Sequence, residues 1–449
     1  MASTGNPDGI KRQAVVVIHG IGEQRPMETL RNLVDALLPK DACKGRSYHS
    51  KPETITGSYE LRRIKLRKFN DLNNDWLHET DFFEYYWAHQ MSGNELSHIL
   101  NWVRRLLTKP RGDDPSRINH RLGLVYGIVC TLFVLVLLTI LVSAFYFRSW
   151  KATGSITILL GFIVKYLPRL LLGRVVNTIG DAARYLDVAP ANVARRYDIL
   201  RGGIEMLRKL HNPSGAFSDE DTVSYVYDRI VIIGHSLGSI IAYDLLKHYW
   251  AEVNGLLPVD PNEPALQEVE SSACSPDAFS KAQFKLWKHI NRQWLGKDEF
   301  NKNEVPKARW LVTDFITLGS PLSYGATLMA DGDFVTKTEL RELPTCPPDP
   351  SRHVNPGHFT VPLSEEASVK NFYDILHHGA LFAVTRWTNL YFTKDLIAGT
   401  VNNVFGEGIR EVKLTEGPNS WLRSHISYWK PKAKNSLDEI SKILKNVYY

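Results

Sequence analysis

The chain has 449 residues, a net charge of +6, and 44% hydrophobic and 11% aromatic residues. That length exceeds a usual single domain, and the apolar content is enough to bury a large core. The charge is too modest and too scattered for a nucleic-acid binder, so an anionic membrane surface is the better-matched partner.

Cys43, Cys130, Cys274 and Cys346 lie far apart, with no Cys-x-x-Cys and no Cys/His ligand spacing. A reduced compartment without structural zinc is expected. Met1 to Gln13 is polar and lacks the apolar stretch of a secretory signal. Ala14 to Ile18 is a short β-branched run ending in His19-Gly20-Ile21-Gly22, which reads as a central parallel strand. Thr29 to Leu38 has helical spacing and stops at Pro39, and aromatic-rich Phe82 to His89 reads as a strand.

Leu122 to Phe147 carries no charged residue. As a helix it is roughly 39 Å long, enough to cross a hydrocarbon core of about 30 Å. Thr153 to Gly173 is apolar at first but then meets Lys165, Pro168 and Arg169. It suits a second span with a snorkelling lysine, a re-entrant piece or an interfacial helix. The strands on either side of this region are expected in one sheet, which cannot straddle a bilayer, so a hairpin over residues 122–173 is favoured. Arg104, Arg105, Lys109, Arg111, Arg117 and Arg121 precede it and Arg174 and Arg184 follow, while the connecting turn holds only Arg148 and Lys151. The globular body is therefore expected on the cytoplasmic face.

Asp181 to His211 is helical in pattern and leads to Ile230–Ile233, an apolar run ending in Gly234-His235-Ser236-Leu237-Gly238. An amphipathic run, Ser239 to Trp250, comes next. Strand, Gly-x-Ser-x-Gly and helix form the layout of a nucleophile elbow, whose helix N-terminus favours negative charge at the reacting oxygen. Beyond it, 254–276 and 344–362 read as irregular, Pro-rich excursions long enough to act as lids. Trp310 to Leu318, Ala380 to Phe392 and Ile409 to Leu414 read as strands, and Ser436 to Val447 as the last helix. Strands alternating with helices predict a three-layer α/β fold with a mostly parallel sheet. The catalytic body is then split into residues 1–121 and 174–449 by the hairpin.

A serine hydroxyl needs a base, an orienting acid and an oxyanion hole. In parallel sheets functional groups gather at the carboxyl ends of strands. Asp228 and Asp314 are expected ahead of their strands, whereas Asp395 follows one; a helix N-cap before Leu396-Ile-Ala is its alternative role. His377 and His378 precede a strand and His358 sits in a Pro-rich loop. His425, after the last strand, is the candidate base, its plainer alternative being a loop histidine packed on Trp421 and Trp429. The order Ser236, Asp395, His425 is that of an α/β-hydrolase. Leu237 and Ile21 are the expected backbone donors to the oxyanion. Gly319-Ser320-Pro321 reads as a structural exit turn. Gly20/Gly22 and Gly406/Gly408 lack the remaining spacing of a dinucleotide or phosphate loop, so no cofactor or metal is implied.

His-Gly-Ile-Gly, Gly-His-Ser-Leu-Gly-Ser, Thr317-Leu-Gly-Ser-Pro-Leu322, Trp387-Thr-Asn-Leu-Tyr391 with Asp395, and Ser424-His-x-x-Tyr-Trp429 resemble the serine lipase and esterase branch of the α/β-hydrolases. In pattern they are similar to GPI-inositol-deacylase-like and lecithin–cholesterol-acyltransferase-like lipases. The resemblance spans residues 14 to 430 and implies the α/β-hydrolase fold, with the membrane hairpin and lid-like segments as insertions. None of these motifs fixes the substrate; the triad together with the hairpin and its basic flanks points to a lipase- or phospholipase-like ester hydrolase acting on membrane lipid. An acyltransferase using the same triad and a non-catalytic membrane scaffold are the alternatives.

Overall fold

The computed structural model describes residues 10, 12–20, 25–37, 48–52, 62–66, 79–91, 185, 190–211, 227–272, 275–292, 308–325, 334–348, 358–362, 374–395, 397–415, 417–418, 421–430 and 433–445. The chain divides into two compact units, Met1–Gln90 with Ala194–Tyr449, and Met91–Val193. The described residues of the second unit include the start of one helix; the sheets and the site belong to the first. The strands are β1 (Arg12–Ile18), β2 (Tyr48–Pro52), β3 (Arg62–Leu66), β4 (Glu79–Tyr85), β5 (Arg229–His235), β6 (Pro258–Val259), β7 (Val312–Leu318), β8 (Thr360–Pro362), β9 (Asp374–Leu376), β10 (Arg386–Phe392) and β11 (Arg410–Leu414). The helices are α1 (Glu28–Leu37), α2 (Pro190–His211), α3 (Leu237–Val253), α4 (Pro264–Ser271), α5 (Pro276–Arg292), α6 (Phe334–Glu339), α7 (Asn402–Phe405), α8 (Trp421–His425) and α9 (Lys434–Lys445).

An eight-stranded sheet in the order β11-β10-β7-β5-β1-β4-β3-β2 forms the centre. From β11 to β4 every neighbouring pair is parallel, and β3 and β2 add antiparallel edges. The fold is α/β with a mostly parallel sheet. β1 and β5 are buried almost throughout, because helices cover both faces and apolar residues are needed on each. Val15, Val17, Val231, Ile233, Ile316, Leu318, Leu390 and Phe392 form one core with Leu30 and Leu33 of α1 and Ile440 and Leu444 of α9. On the opposite face Phe315 and Trp387 are cross-strand partners, with ring centroids 5.1 Å apart, and Tyr243 of α3 lies 5.7 Å from Trp387. Alternate residues of each strand thus serve different layers.

The chain leaves β1 toward β4 on one side and, through β5, toward β7, β10 and β11 on the other. β1 and β5 thus flank a reversal of strand order, and parallel sheets bind their ligands at the carboxyl ends of strands beside such a reversal.

Several expectations need correction. Residues 254–272 are not irregular: they form a 3-10 turn, β6 and α4, and α5 begins at Pro276. The Pro and Glu that suggested a loop are helix-start chemistry, since Glu263 accepts the Ala265 N–H and Pro264 takes the first helical position. β6 joins β9 and β8 in a separate three-stranded sheet, so the end of the 344–362 segment is also structured. β10 begins only at Arg386, after a 3-10 turn at Leu381–Ala383. Asp314 lies inside β7, not ahead of it. There its carboxylate takes bonds from Arg229 Nη2 at 2.6 Å and from Arg386 Nε and Nη2 at 2.9 and 2.7 Å. Among the described residues no helix is long and apolar enough to cross a membrane. The hairpin expected over 122–173 lies outside the described residues.

Candidate active site

Ser236 stands at the turn between β5 and α3 with φ 53° and ψ −128°. A non-glycine residue held there stores strain of about 1–3 kcal/mol, and such outliers cluster at functional sites. Neighbouring elements hold the turn in place. A Cβ on Gly238 would run into the backbone oxygens of Ile18 and His19, and one on Gly20 would meet the Ser236 Cβ at 2.8 Å. Both glycines therefore let the β1 exit loop lie directly against the serine turn.

A chain of hydrogen bonds fixes the serine backbone from the other side. Ser239 Oγ donates to the Ser236 carbonyl at 2.5 Å and lies 2.6 Å from Ser320 Oγ, which accepts the Leu322 N–H at 3.1 Å. Because the Ser239 proton is committed, Ser320 is the donor between the two hydroxyls. Gly319-Ser320-Pro321 is thus a structural turn, as expected, and it braces the elbow.

The structure brings Ser236, His425 and Asp395 together. His425 Nε2 is 2.9 Å from Ser236 Oγ, and its Nδ1 is 2.9 and 3.1 Å from the two Asp395 oxygens. Ser236 follows β5, Asp395 follows β10 and His425 ends α8, so two strand ends and a short helix far apart in sequence bring the three groups together. All three are at least nine-tenths buried. Burial alone would raise the Asp395 carboxyl. The hydrogen bond from His425 and its charge, with the Ile397 N–H and the Tyr428 hydroxyl, outweigh that cost and hold it below the usual carboxylate range. The Ile397 N–H donates to Asp395 at 2.9 Å, but no helix begins there among the described residues; the next is α7. The N-cap alternative therefore shrinks to a local turn.

Leu237 is the first residue of α3, so its N–H has no acceptor within its own helix. Ile21, the other expected donor, lies outside the described residues. His358 is 86% exposed and faces Glu270, and His377 accepts the Gly379 N–H, so neither joins the group.

Two contributors carry no assignment from the sequence. His235 donates from Nε2 to the His425 carbonyl at 2.8 Å. Its ring lies 5.1 Å from that of His425 and 4.5 Å from Trp429. The tryptophan thus backs His235. Burial, and then the neighbouring His425, push its imidazole down to about 3, which keeps it neutral and a fixed donor. Tyr428 donates to Asp395 Oδ2 at 2.8 Å. Both sit inside recognisable motifs, Gly-His-Ser and Ser-His-x-x-Tyr-Trp, but spacing alone does not say what an adjacent side chain will reach.

Among the described residues no group of three or more His, Cys, Asp or Glu side chains is arranged to hold a metal ion. No protein family, curated protein or solved structure matches the chain.

Proposed function

We propose that this chain is a membrane-anchored serine hydrolase that cleaves lipid acyl esters through Ser236, His425 and Asp395. The observation that carries the reading is the unbroken run Ser236 Oγ–His425 Nε2 and His425 Nδ1–Asp395, every link within hydrogen-bond reach. In the reaction His425 Nε2 takes the hydroxyl proton as Ser236 Oγ bonds to the ester carbon. The carbonyl oxygen becomes an oxyanion directed at the Leu237 N–H and the α3 N-terminus. Collapse breaks the ester C–O bond, and His425 returns the proton to the leaving alkoxide. Water then attacks the acyl-serine with His425 again as base, releasing the acid. Asp395 holds the imidazole tautomer that makes both transfers possible. The reading as an α/β-hydrolase of the serine lipase and esterase branch is supported by the parallel strand order and by the elbow at the carboxyl edge of β5.

The lipid assignment rests on the sequence. The uncharged run 122–147 and the arginines around it tether the body at the headgroups of an anionic leaflet, on its cytoplasmic face. Two assays test the proposal. An alkyl fluorophosphonate should label the wild type at Ser236 and leave Ser236→Ala unlabelled. The full chain should also hydrolyse phospholipid in vesicles faster than a short-chain soluble ester at matched concentration. Turnover of the short ester alone would remove the lipid assignment. Diversion of product by added alcohols would assign acyl transfer, and a folded wild type that never labels would leave a scaffold.

A further inference from the structure

We propose that Tyr428 is a positioning residue that sets the strength of the general base, acting through Asp395; the inference rests on the assignment of Ser236, His425 and Asp395 as a triad. The phenol is placed to do one thing. Its oxygen accepts the N–H of Phe392, the last residue of β10, at 3.1 Å, and its proton points to Asp395 Oδ2 at 2.8 Å. With the acceptor side occupied by a backbone donor, the hydroxyl has the carboxylate as its acceptor. The ring is locked by packing on Phe392, with centroids 4.7 Å apart, and by Gly319, where a Cβ would lie 2.7 Å from Tyr428 Cε2. Tyr428 itself is fully buried. Three structural pieces, the ends of β7 and β10 and the turn after α8, thus converge to hold one O–H against the triad acid.

The consequence is electrostatic. Asp395 Oδ2 is shared between Tyr428 Oη and His425 Nδ1. Charge drawn toward the phenol is charge not offered to the imidazolium, so the bond makes His425 a weaker base than Asp395 alone would. It also fixes the plane of the carboxylate and hence the direction of His425 Nε2 toward Ser236. Among the described residues, the other titratable groups facing the pair are His235 from the end of β5 and, next to His235, His19 from the end of β1. Burial lowers them to about 3 and about 4, so both stay neutral in the working range. Neither masks a change at Tyr428.

The test is the rate of alkyl fluorophosphonate labelling of the full chain against pH, which needs no knowledge of the natural substrate. In Tyr428→Phe the acid limb should move up by about half a pH unit, while the plateau falls by at most about tenfold as the carboxylate loses its stop. Tyr428→3-fluorotyrosine, whose phenol is a stronger donor, should move the limb the other way. Opposite displacements support the proposal. If Ser236 labels but both limbs coincide with the wild type, Tyr428 is structural only and the inference fails while the triad stands. If Tyr428→Phe does not fold, the fluorinated variant alone decides by the same criterion. If folded wild type does not label at Ser236, the triad reading fails and this inference with it.

Discussion

Replacing His235 by phenylalanine tests whether a neutral, buried imidazole supports His425, the proposed base. The substitution keeps an aromatic ring against Trp429, one ring atom larger, and removes both nitrogens. In the folded chain His235 is lowered to about 3, against an ordinary value near 6.5. A base depressed on folding contributes stability that is fully present above 6.5 and is lost as the pH falls toward 3, because the unfolded chain takes up the proton first. Between pH 8 and pH 5 this one residue should cost the wild type about 2 kcal/mol. His235→Phe should lose that part of the pH dependence. At pH 8 it should instead be destabilised by about 1–3 kcal/mol, because the His425 carbonyl is left buried without its donor. Denaturant titrations of both proteins at pH 8 and pH 5 measure the two effects separately. The same change should slow fluorophosphonate labelling, since the backbone that carries the base is no longer tied to β5. Parallel stability curves across that pH range would refute the reasoning, whatever happened to activity.

In the triad, His425→Ala should cost at least as much as Asp395→Asn, which itself should lower kcat by about 10⁴-fold; near-normal turnover in His425→Ala with a dead His377 or His358 variant would reassign the base. Gly238→Ala should destabilise the fold by about 3 kcal/mol, because its new methyl meets backbone oxygens of Ile18 and His19, which have no rotamer to change; a thermal melt within a degree of wild type would contradict this. Asp314→Asn removes the buried negative charge that Arg229 and Arg386 both engage and should cost about 3–5 kcal/mol, read as a lower denaturant midpoint, with no direct effect on Ser236 labelling in the protein that remains folded. For the proposed membrane segment, cysteines placed at Ser116 and Ser149 should react with impermeant reagent from opposite sides. Reaction of both from one side would show that 122–147 is not a complete span.

Local order in the chain was sufficient for what depends on neighbours in sequence. The apolar runs before His19 and Ser236 become central strands because both faces of such a strand are covered, and continuous hydrophobicity records that directly. Gly-His-Ser-Leu-Gly announces a turn that only glycine-flanked residues can make, and chain order singled out Asp395 and His425 from the carboxyl-end rule. Spacing failed where the decisive contact is non-local. Glu263 and Pro264 were indistinguishable from loop residues until the helix they start had α5 to pack against. Asp314 read as a residue ahead of its strand because two arginines distant in sequence, Arg229 and Arg386, supply the charge that lets a carboxylate sit inside one. The antiparallel β2–β3 edge and the β6-β9-β8 sheet are built from short strands without a clean alternating pattern, so only pairing defines them. The roles of His235 and Tyr428 belong to the tertiary structure alone. A side chain's hydrogen-bond partner is set by which strand ends meet, and here β5, β7, β10 and the turn after α8 meet around one histidine.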